Sequence, residues 1–387
     1  MPHMDSMVQE CEGSIVMANI DFCHGSWQLG LHEKSQEIMS IQTPLGVYSP
    51  RRTLQGGMDS GNHFQLVTSK AFEGKMKRLL QWIDDFLLHA PSKKELLIDI
   101  RIFLEVCKEF GFKIHAEKSS FFLKEAKFCG KIISADGVRF DPRNMAGIVD
   151  MKKPEKANEL QQLLCAANWM RTSIPDYARL VDPLQKLLES AYKSAGKRTK
   201  KAVSKISILD QWGTNHTNSF NSLKTQLTQA TKLAHPKKDY QTCLLTDASD
   251  THWSGILTQR PMEDEITAME EQQHDPLAFL SGSFTGASFN WSIAEKEGFA
   301  IIESMTRLDF ITAACTTSIY TDQANLVYIF DPLGMNPGIA KHTASKLTRW
   351  ALKLNEFRFI IEHISGDQNV WADMLTRWAV QPIRFLP

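Results

Sequence analysis

The sequence has 387 residues, 43% of them hydrophobic and 23% charged, and its 44 basic residues balance its 44 acidic ones. This is the composition of globular protein in two or three domains at roughly 150 residues per domain, and it excludes disordered and fibrous classes. Seven cysteines without a CxxC pair argue against a disulfide framework or a structural zinc site and indicate an intracellular protein, cytoplasmic or nuclear. No apolar run is long enough to span a membrane, so we expect no membrane partner.

The N-terminal half predicts strands followed by a helix. Short apolar runs at SIVMANIDF and LLQWIDDFLLHA are typical of strands. Apolar residues recur at three- and four-residue spacing between Lys93 and Phe112, which predicts an amphipathic helix. Asp21 ends the first strand, and Asp84 and Asp85 interrupt the second. These acids have two interpretations. They are turn residues at strand ends, or they are buried carboxylates that bind a metal or accept hydrogen bonds, because burial without such partners is costly.

A change in composition separates the two halves. Residues 193–205 (KSAGKRTKKAVSK) are basic and poor in large apolar groups, which predicts an exposed loop or linker, and 236–239 (PKKD) marks a second break. Beyond it, TCLLTDAS, TSIYTD and FRFIIEHIS predict strands, and an apolar stripe from Ala294 to Leu308 predicts a helix. Strands that alternate with helices on both sides indicate mixed α/β or α+β domains.

Four acids of the C-terminal half occupy the ends of predicted elements. Asp247 and Asp322 close strands, Glu297 lies on the helix, and Asp373 follows HISGDQN. Each alone is explained as a cap, a turn or a solvated residue, but their order suggests one sheet edge with a helix beside it. Glu295 competes with Glu297 for the helix position. At 100° per residue, Glu297 lies about 60° from the centre of the apolar stripe and Glu295 about 100°, which favours Glu297.

The ordered segments DFCHGSWQLGL, TLQGG, WIDD, GFKIHAEKSSFF and KFCGKIISADGVRFDP resemble the reverse transcriptase of gypsy-type LTR retrotransposons and their retroviral relatives. The resemblance implies that Asp21, Asp84 and Asp85 bind two Mg²⁺ ions, or Mn²⁺ in their place, with Asp85 the least direct ligand. Hard cations prefer such oxygen ligands. It further implies that Gln55 and Gly56 lie along the incoming nucleotide and that Lys118 lies near its triphosphate. It also implies a primer-gripping hairpin at 128–130.

Three features depart from the family pattern. Ser26 stands where an aromatic residue usually blocks a ribose 2′-hydroxyl, so we expect ribonucleotides to be admitted more readily. Trp82 replaces the usual Tyr before the Asp pair. The sequence also begins only about twenty residues before Asp21, so the fingers that the resemblance implies are expected to be incomplete.

The segments TDAS, NWSIAEKEGFA, YTDQANL and HISGDQNVWADMLTRW resemble the retroelement ribonuclease H domain. The resemblance implies that Asp247, Glu297, Asp322 and Asp373 bind two Mg²⁺ ions that activate a water and stabilise the departing 3′-oxygen. Gly366 and Asn369 fit the pattern before the last Asp. His363 has two interpretations: a group that handles the leaving group or product, or a hydrogen-bonded strand-end residue.

The segment between the two motif sets resembles the family's thumb and connection. Its helical core face is predicted to comprise Leu160, Leu163, Leu164 and Ala167. The basic segment 193–205 either holds template phosphates or is a solvated insertion. Apolar surroundings place Trp169, Trp291 and Trp350 in the predicted core.

The sequence thus predicts a multidomain α/β and α+β protein that resembles part of a retrotransposon Pol polyprotein. Residues 1–136 are predicted to form a palm with an antiparallel sheet and helices. Residues 137–235 would form a thumb and connection, and residues 236–387 a mixed-sheet, ribonuclease H-like domain. The expected partners are an RNA template, a DNA primer, RNA–DNA hybrid and dNTPs. The expected activities are RNA-directed DNA polymerase and ribonuclease H. The alternative is an inactive relic or a domesticated hybrid-binding module.

Overall fold

The computed structural model describes residues 4–266, 272–330 and 341–364, and the chain divides into two units between Val138 and Arg139. The elements of the first unit are α1 (Met4–Gln9), β1 (Val16–Asp21), α2 (Gly25–Gln28), α3 (Glu33–Ile38), β2 (Ile41–Thr43), β3 (Gly46–Tyr48), α4 (Ser60–Phe72), β4 (Leu79–Trp82), β5 (Asp85–Ala90), α5 (Lys93–Phe110), β6 (Ser120–Leu123), β7 (Glu125–Phe128), β8 (Lys131–Ser134) and β9 (Gly137–Phe140), with the division inside β9.

An antiparallel sheet in the order β4-β5-β1-β6 forms the centre of the first unit. Alternation along the strands buries Ala18 and Ile20 of β1 in a core with Phe64 of α4 and Phe103 of α5. The predicted helix from Lys93 to Phe112 is confirmed, but it ends at Phe110. Gly111 follows with φ 73, the left-handed conformation that glycine adopts at helix ends.

The second unit contains helices followed by a sheet. Its elements are α6 (Pro142–Val149), α7 (Ala157–Asn168), α8 (Tyr177–Ala195), α9 (Lys200–Val203), α10 (Thr214–Thr228), β10 (Tyr240–Ala248), β11 (His252–Pro261), β12 (Asp275–Ser283), α11 (Ile293–Arg307), α12 (Asp309–Thr312), β13 (Thr316–Thr321), α13 (Ala324–Phe330), α14 (Lys341–Leu354) and β14 (Arg358–His363). Short 3-10 turns occur at Arg171–Ser173, Leu209–Gln211, Met262–Ile266 and Gly286–Asn290.

A five-stranded mixed sheet in the order β12-β11-β10-β13-β14 carries the second motif set. β10, β11 and β12 pair antiparallel, whereas β13 is parallel to both β10 and β14. α11 packs on one face, where Ile301 and Met305 are fully buried against Leu244 and Ile319. The predicted mixed α/β and α+β class is therefore confirmed.

The helices before this sheet have their own core, in which Leu160, Leu163, Leu164 and Ala167 are all buried, as predicted. The predicted loop at 193–205 differs from the structure, because α8 continues to Ala195 and α9 occupies Lys200–Val203. Val203 is fully buried in the core of these helices, so it anchors this basic segment. The prediction of a core position for Trp169 is wrong, since 51% of this residue is exposed.

No helix within the described residues is both long and apolar enough to cross a membrane. All seven cysteines are free thiols.

Candidate active sites

The first candidate site lies at one end of the β1–β5 pair. Asp21, the last residue of β1, pairs with Asp85, the first residue of β5. Trp82 also pairs with Asp85, so the hairpin turn contains only Ile83 and Asp84. Ile83 has a φ of 53, the left-handed backbone that tight hairpin turns require. This register places the three predicted acids at one end of the sheet.

A neighbouring segment is tied to the end of β1 and carries Lys118. The Asp21 amide donates a hydrogen bond to Ser119 Oγ at 3.2 Å, and the Asp21 carbonyl accepts one from the His115 amide at 2.8 Å. Ser119 Oγ in turn donates to the His115 carbonyl at 2.9 Å. These bonds fix the turn between His115 and Ser119 beside Asp21, and so they position Lys118.

These elements enclose a cavity of about 160 Å³. Its walls combine two carboxylates, an ammonium group, an amide and aromatic rings. The lining residues are Asp21, Phe22, His24, Gly25, Ser26, Trp27, Gln55, Asp84 and Lys118. Five predicted site residues thus meet here: Asp21, Ser26, Gln55, Asp84 and Lys118. Phe22, His24 and Trp27 were not predicted as site residues, although all three lie in the motif DFCHGSWQLGL and their aromatic rings were a usable signal.

The turn before α4 brings Gln55 to this cavity. Ser60 Oγ donates a hydrogen bond to the Leu54 carbonyl at 2.6 Å and closes the turn. Gly56 has a φ of 90, a conformation that only glycine adopts readily. Gly56 is outside the cavity lining, so its contribution here is to the shape of the turn that holds Gln55.

Asp85 differs from its two neighbours, because it does not line the cavity. Loss of hydration raises the pKa of the Asp85 carboxyl, and the negative charges of Asp84 and Asp21 raise it further. A hydrogen bond from the Cys129 thiol, with Sγ 3.7 Å from Oδ2, opposes this shift in the pKa. The three carboxylates therefore interact electrostatically.

The second candidate site lies at the edge of the five-stranded sheet. β10 and β13 run parallel as neighbours, so Asp247 near the end of β10 and Asp322 just after β13 meet at the same edge. Glu297 of α11 reaches this edge, where its Oε1 accepts a hydrogen bond from the Ala248 amide at 2.8 Å. The structure therefore brings three of the four predicted acids together. Asp373, Gly366 and Asn369 lie outside the described residues.

Glu297 is the most deeply buried acid of this site, with 2% of the residue exposed. The pKa of its carboxyl is raised to about 8, chiefly by burial and further by the charges of Asp322 and Asp247, against the lowering effect of the hydrogen bond from the Ala248 amide. Burial and the charge of Asp247 also raise the pKa of Asp322. Glu297 Oε2 and Asp322 Oδ1 are buried without a hydrogen-bond partner. A buried, unpaired carboxylate oxygen is costly, which is the state expected of a ligand without its cation.

Glu295 has a different place on the same helix. Its Oε2 accepts hydrogen bonds from the Ser292 amide at 2.8 Å and Ser292 Oγ at 3.0 Å, which caps α11. Its Oε1 forms an ion pair with Lys346 Nζ at 2.8 Å. Both oxygens are thus used in the fold, whereas Glu297 faces the other acids as the helical geometry indicated.

His363 is the last residue of β14 and lies at the same sheet edge. Its Nε2 is 3.1 Å from the Asp322 carbonyl oxygen. This contact makes His363 a hydrogen-bonded strand-end residue next to an acid of the site.

The donors present suit divalent cations such as Mg²⁺, because they are carboxylate oxygens and two of them are buried without a partner. Across 4–266, 272–330 and 341–364, however, no three His, Cys, Asp or Glu side chains are gathered closely enough to hold an ion as they stand.

Comparisons with protein families agree with both motif sets. Residues 1–133 match the family described as reverse transcriptase (RNA-dependent DNA polymerase). Residues 237–357 match the RNase H-like domain found in reverse transcriptase. The first match contains Asp21, Asp84 and Asp85, and the second contains Asp247, Glu297 and Asp322.

Curated relatives match the chain over nearly its whole length. It is 26% identical over 99% of its length to a retrovirus-related Pol polyprotein from transposon 412 of Drosophila melanogaster. It is 24% identical over 97% to the transposon Tf2-3 polyprotein of Schizosaccharomyces pombe. The chain spans 28% of the first relative and 26% of the second.

Solved structures share the fold. A foamy viral protease-reverse transcriptase in complex with RNA/DNA hybrid superimposes with a TM-score of 0.72 at 17% identity, over 93% of this chain and 45% of that one. The related complex with double-stranded DNA gives a TM-score of 0.74 at 17% identity, over 94% of this chain and 60% of that one. The two family matches show a reverse transcriptase domain at residues 1–133 followed by an RNase H-like domain at residues 237–357, and over nearly its whole length the chain is similar to Pol polyproteins of transposons.

Proposed function

We propose that the chain is an intracellular RNA-directed DNA polymerase and ribonuclease H that uses two separate carboxylate sites. One observation carries the proposal. In each unit, acids that are far apart in the sequence converge at the end of a sheet, beside residues suited to binding a phosphorylated ligand or a cation.

At the first site, Asp21, Asp84 and Asp85 would hold divalent cations, Mg²⁺ or Mn²⁺. When bound, the cations would supply Lewis acidity to the attacking 3′-oxygen and to the leaving pyrophosphate. Lys118 lines the cavity, and its ammonium group would bind the triphosphate of a dNTP. Gln55 lies across the same cavity, where its amide would orient the nucleotide.

At the second site, Asp247, Glu297, Asp322 and Asp373 would hold the cations. Glu297 is buried, and its Oε1 accepts the hydrogen bond from the Ala248 amide. Its Oε2 is therefore already oriented before a cation binds. His363, at the end of β14, would contact the leaving group or product from this edge. The substrate would be the RNA strand of an RNA–DNA hybrid, recognised by its 2′-hydroxyl groups and backbone shape.

The foamy viral relatives were solved with RNA/DNA hybrid and with double-stranded DNA. By this likeness we propose an RNA template, a DNA primer and their hybrid as partners of this chain. The first site, which contains Asp84, would extend DNA on an RNA template. The second site, which contains Asp247, would then cleave the RNA strand of the hybrid that results.

The test is cleavage of the RNA strand in an RNA–DNA hybrid with Mg²⁺, followed by primer extension with dNTPs. We expect Asp247→Asn to abolish cleavage only and Asp84→Asn to abolish extension only. Asp210→Asn is the matched control, because Asp210 is an exposed acid remote in sequence from both motif sets. A folded, Mg²⁺-replete protein without either activity would refute the proposal and favour a relic that keeps the fold without turnover.

A further inference from the structure

Trp27 is an aromatic residue of the first cavity to which no role has been assigned. It lies in α2, directly after Ser26, and 53% of the residue is exposed. A single exposed aromatic side chain is ordinary on a protein surface. Trp27 differs because it also lines the cavity shared by Asp21, Asp84 and Lys118.

The backbone that carries Trp27 is held on both sides. Gly25 packs so closely on the core that a Cβ there would lie 3.0 Å from the Phe64 ring. Gln28 Nε2 donates to the Cys23 carbonyl at 2.6 Å, and Gln28 Oε1 accepts from the Lys113 amide at 2.6 Å. Trp27 lies between these two anchors, so its position at the cavity is determined by the fold.

The indole also has a partner on one face. The His24 and Trp27 rings stack with centroids 5.1 Å apart and planes 19° from parallel. His24 has φ 50 and ψ 51, a left-handed conformation that non-glycine residues adopt rarely and that is enriched at functional sites. The imidazole thus braces the indole while half of Trp27 stays accessible to solvent.

The chemistry of the cavity identifies the ligand that this arrangement suits. The two carboxylates can bind a cation that carries a polyphosphate, and the ammonium group can bind the phosphates directly. The indole, held by His24, can stack on a flat aromatic ring such as a base. A nucleoside triphosphate contains both a polyphosphate and an aromatic base. We propose that Trp27, braced by His24, stacks on the base of the nucleotide bound in this cavity. This inference rests on the proposed polymerase function and adds a nucleotide-contacting residue to it.

The test measures the affinity of the full chain for dATP with Mg²⁺ by isothermal titration calorimetry, and quenching of intrinsic fluorescence by the nucleotide is the second readout. Aromatic–base stacking is worth roughly 1–3 kcal/mol, which corresponds to about 5- to 150-fold in affinity. We expect Trp27→Ala to weaken dATP binding by about tenfold or more and Trp27→Phe, which keeps a π-face, by less. His24→Asn tolerates the left-handed backbone but loses the stack, so we expect an intermediate loss.

Trp169→Phe is the matched control, because Trp169 is 51% exposed and follows α7 in the other unit. Nucleotide quenching should persist in this variant and disappear in Trp27→Phe. Equal dATP affinity in Trp27→Ala and the unaltered protein would overturn the inference, as would an absence of any dATP signal in the unaltered protein. Binding that depends on Trp27 without primer extension would refute the proposed polymerase function and leave the inference standing.

Discussion

Replacing Glu297 by Gln separates the role of this residue in the fold from its role at the nuclease site. The amide keeps an oxygen that can accept the hydrogen bond from the Ala248 amide, now 2.8 Å from Oε1. It removes the charge whose burial beside Asp322 and Asp247 raises the pKa of Glu297. We therefore expect the variant to be more stable than the unaltered protein at alkaline pH when no cation is present.

The sign and size follow from proton linkage. The pKa of Glu297 rises from its usual 4.5 to about 8 in the folded protein, so the folded state retains a proton that the unfolded state has lost. The free energy of unfolding consequently falls as pH rises from about 4.5 to 8 and then levels off. At about 1.4 kcal/mol per unit, Glu297 would lower the free energy of unfolding by on the order of 4 kcal/mol between pH 5 and 8.5.

The assay is urea unfolding in EDTA at pH 5 and 8.5, with and without the substitution. We expect Glu297→Gln to remove most of this residue's pH dependence, and Mg²⁺ to reduce it in the unaltered protein by neutralising the carboxylates. Hybrid cleavage should fall by at least about a hundredfold, since losing even a group that supports a metal ligand costs roughly 10- to 100-fold.

Glu303→Gln provides the control on the same helix, because Glu303 forms a surface ion pair with Arg307 at 2.7 Å. It should change stability by less than about 1 kcal/mol and leave cleavage intact. An unchanged pH dependence in Glu297→Gln, or full cleavage by that variant, would refute the reasoning.

Four further outcomes are expected. Glu295→Gln should keep hybrid cleavage but lower the free energy of unfolding by about 1–2 kcal/mol, because it weakens the α11 cap and the ion pair with Lys346; loss of cleavage at unchanged stability would contradict this. Gly56→Ala should slow primer extension, since φ 90 strains any other residue by about 1–3 kcal/mol, and an unaltered KM for dNTPs would show that the turn does not position Gln55. Phe103→Ala should cost about 3–5 kcal/mol in urea unfolding, because Phe103 is fully buried, and a loss below 1 kcal/mol would show that its core position is wrong. Ser26 should permit incorporation of rNTPs, and strong preference for dNTPs in single-nucleotide extension would count against a steric role for this small side chain.

Local patterns in the sequence determined the elements and most of the acids. Alternating or continuous apolar runs predicted β1, β10, β13 and β14, and the apolar stripe beside Glu297 predicted the face that α11 buries. These signals are readable because strand and helix periods depend on neighbouring residues alone. The order of the acids, matched to a known family, was the remaining signal in the sequence.

The tertiary structure determined the assembly of the first cavity, the helix in the basic segment and the raised pKa of Glu297, none of which a local sequence pattern contains. Trp27 and Lys118 lie far apart in the sequence, and tertiary hydrogen bonds bring them to one cavity, among them those between the Asp21 backbone and the His115–Ser119 turn and between Gln28 and the Lys113 backbone. The composition of residues 193–205 predicts a loop, but the structure has the short helix α9 there. The buried side chain of Val203 stabilises this helix against α7 and α8. The raised pKa of Glu297 likewise needs the parallel pairing of β10 with β13, which sets Asp247 and Asp322 beside it. Such effects depend on distances across the fold, and so the sequence alone could not determine them.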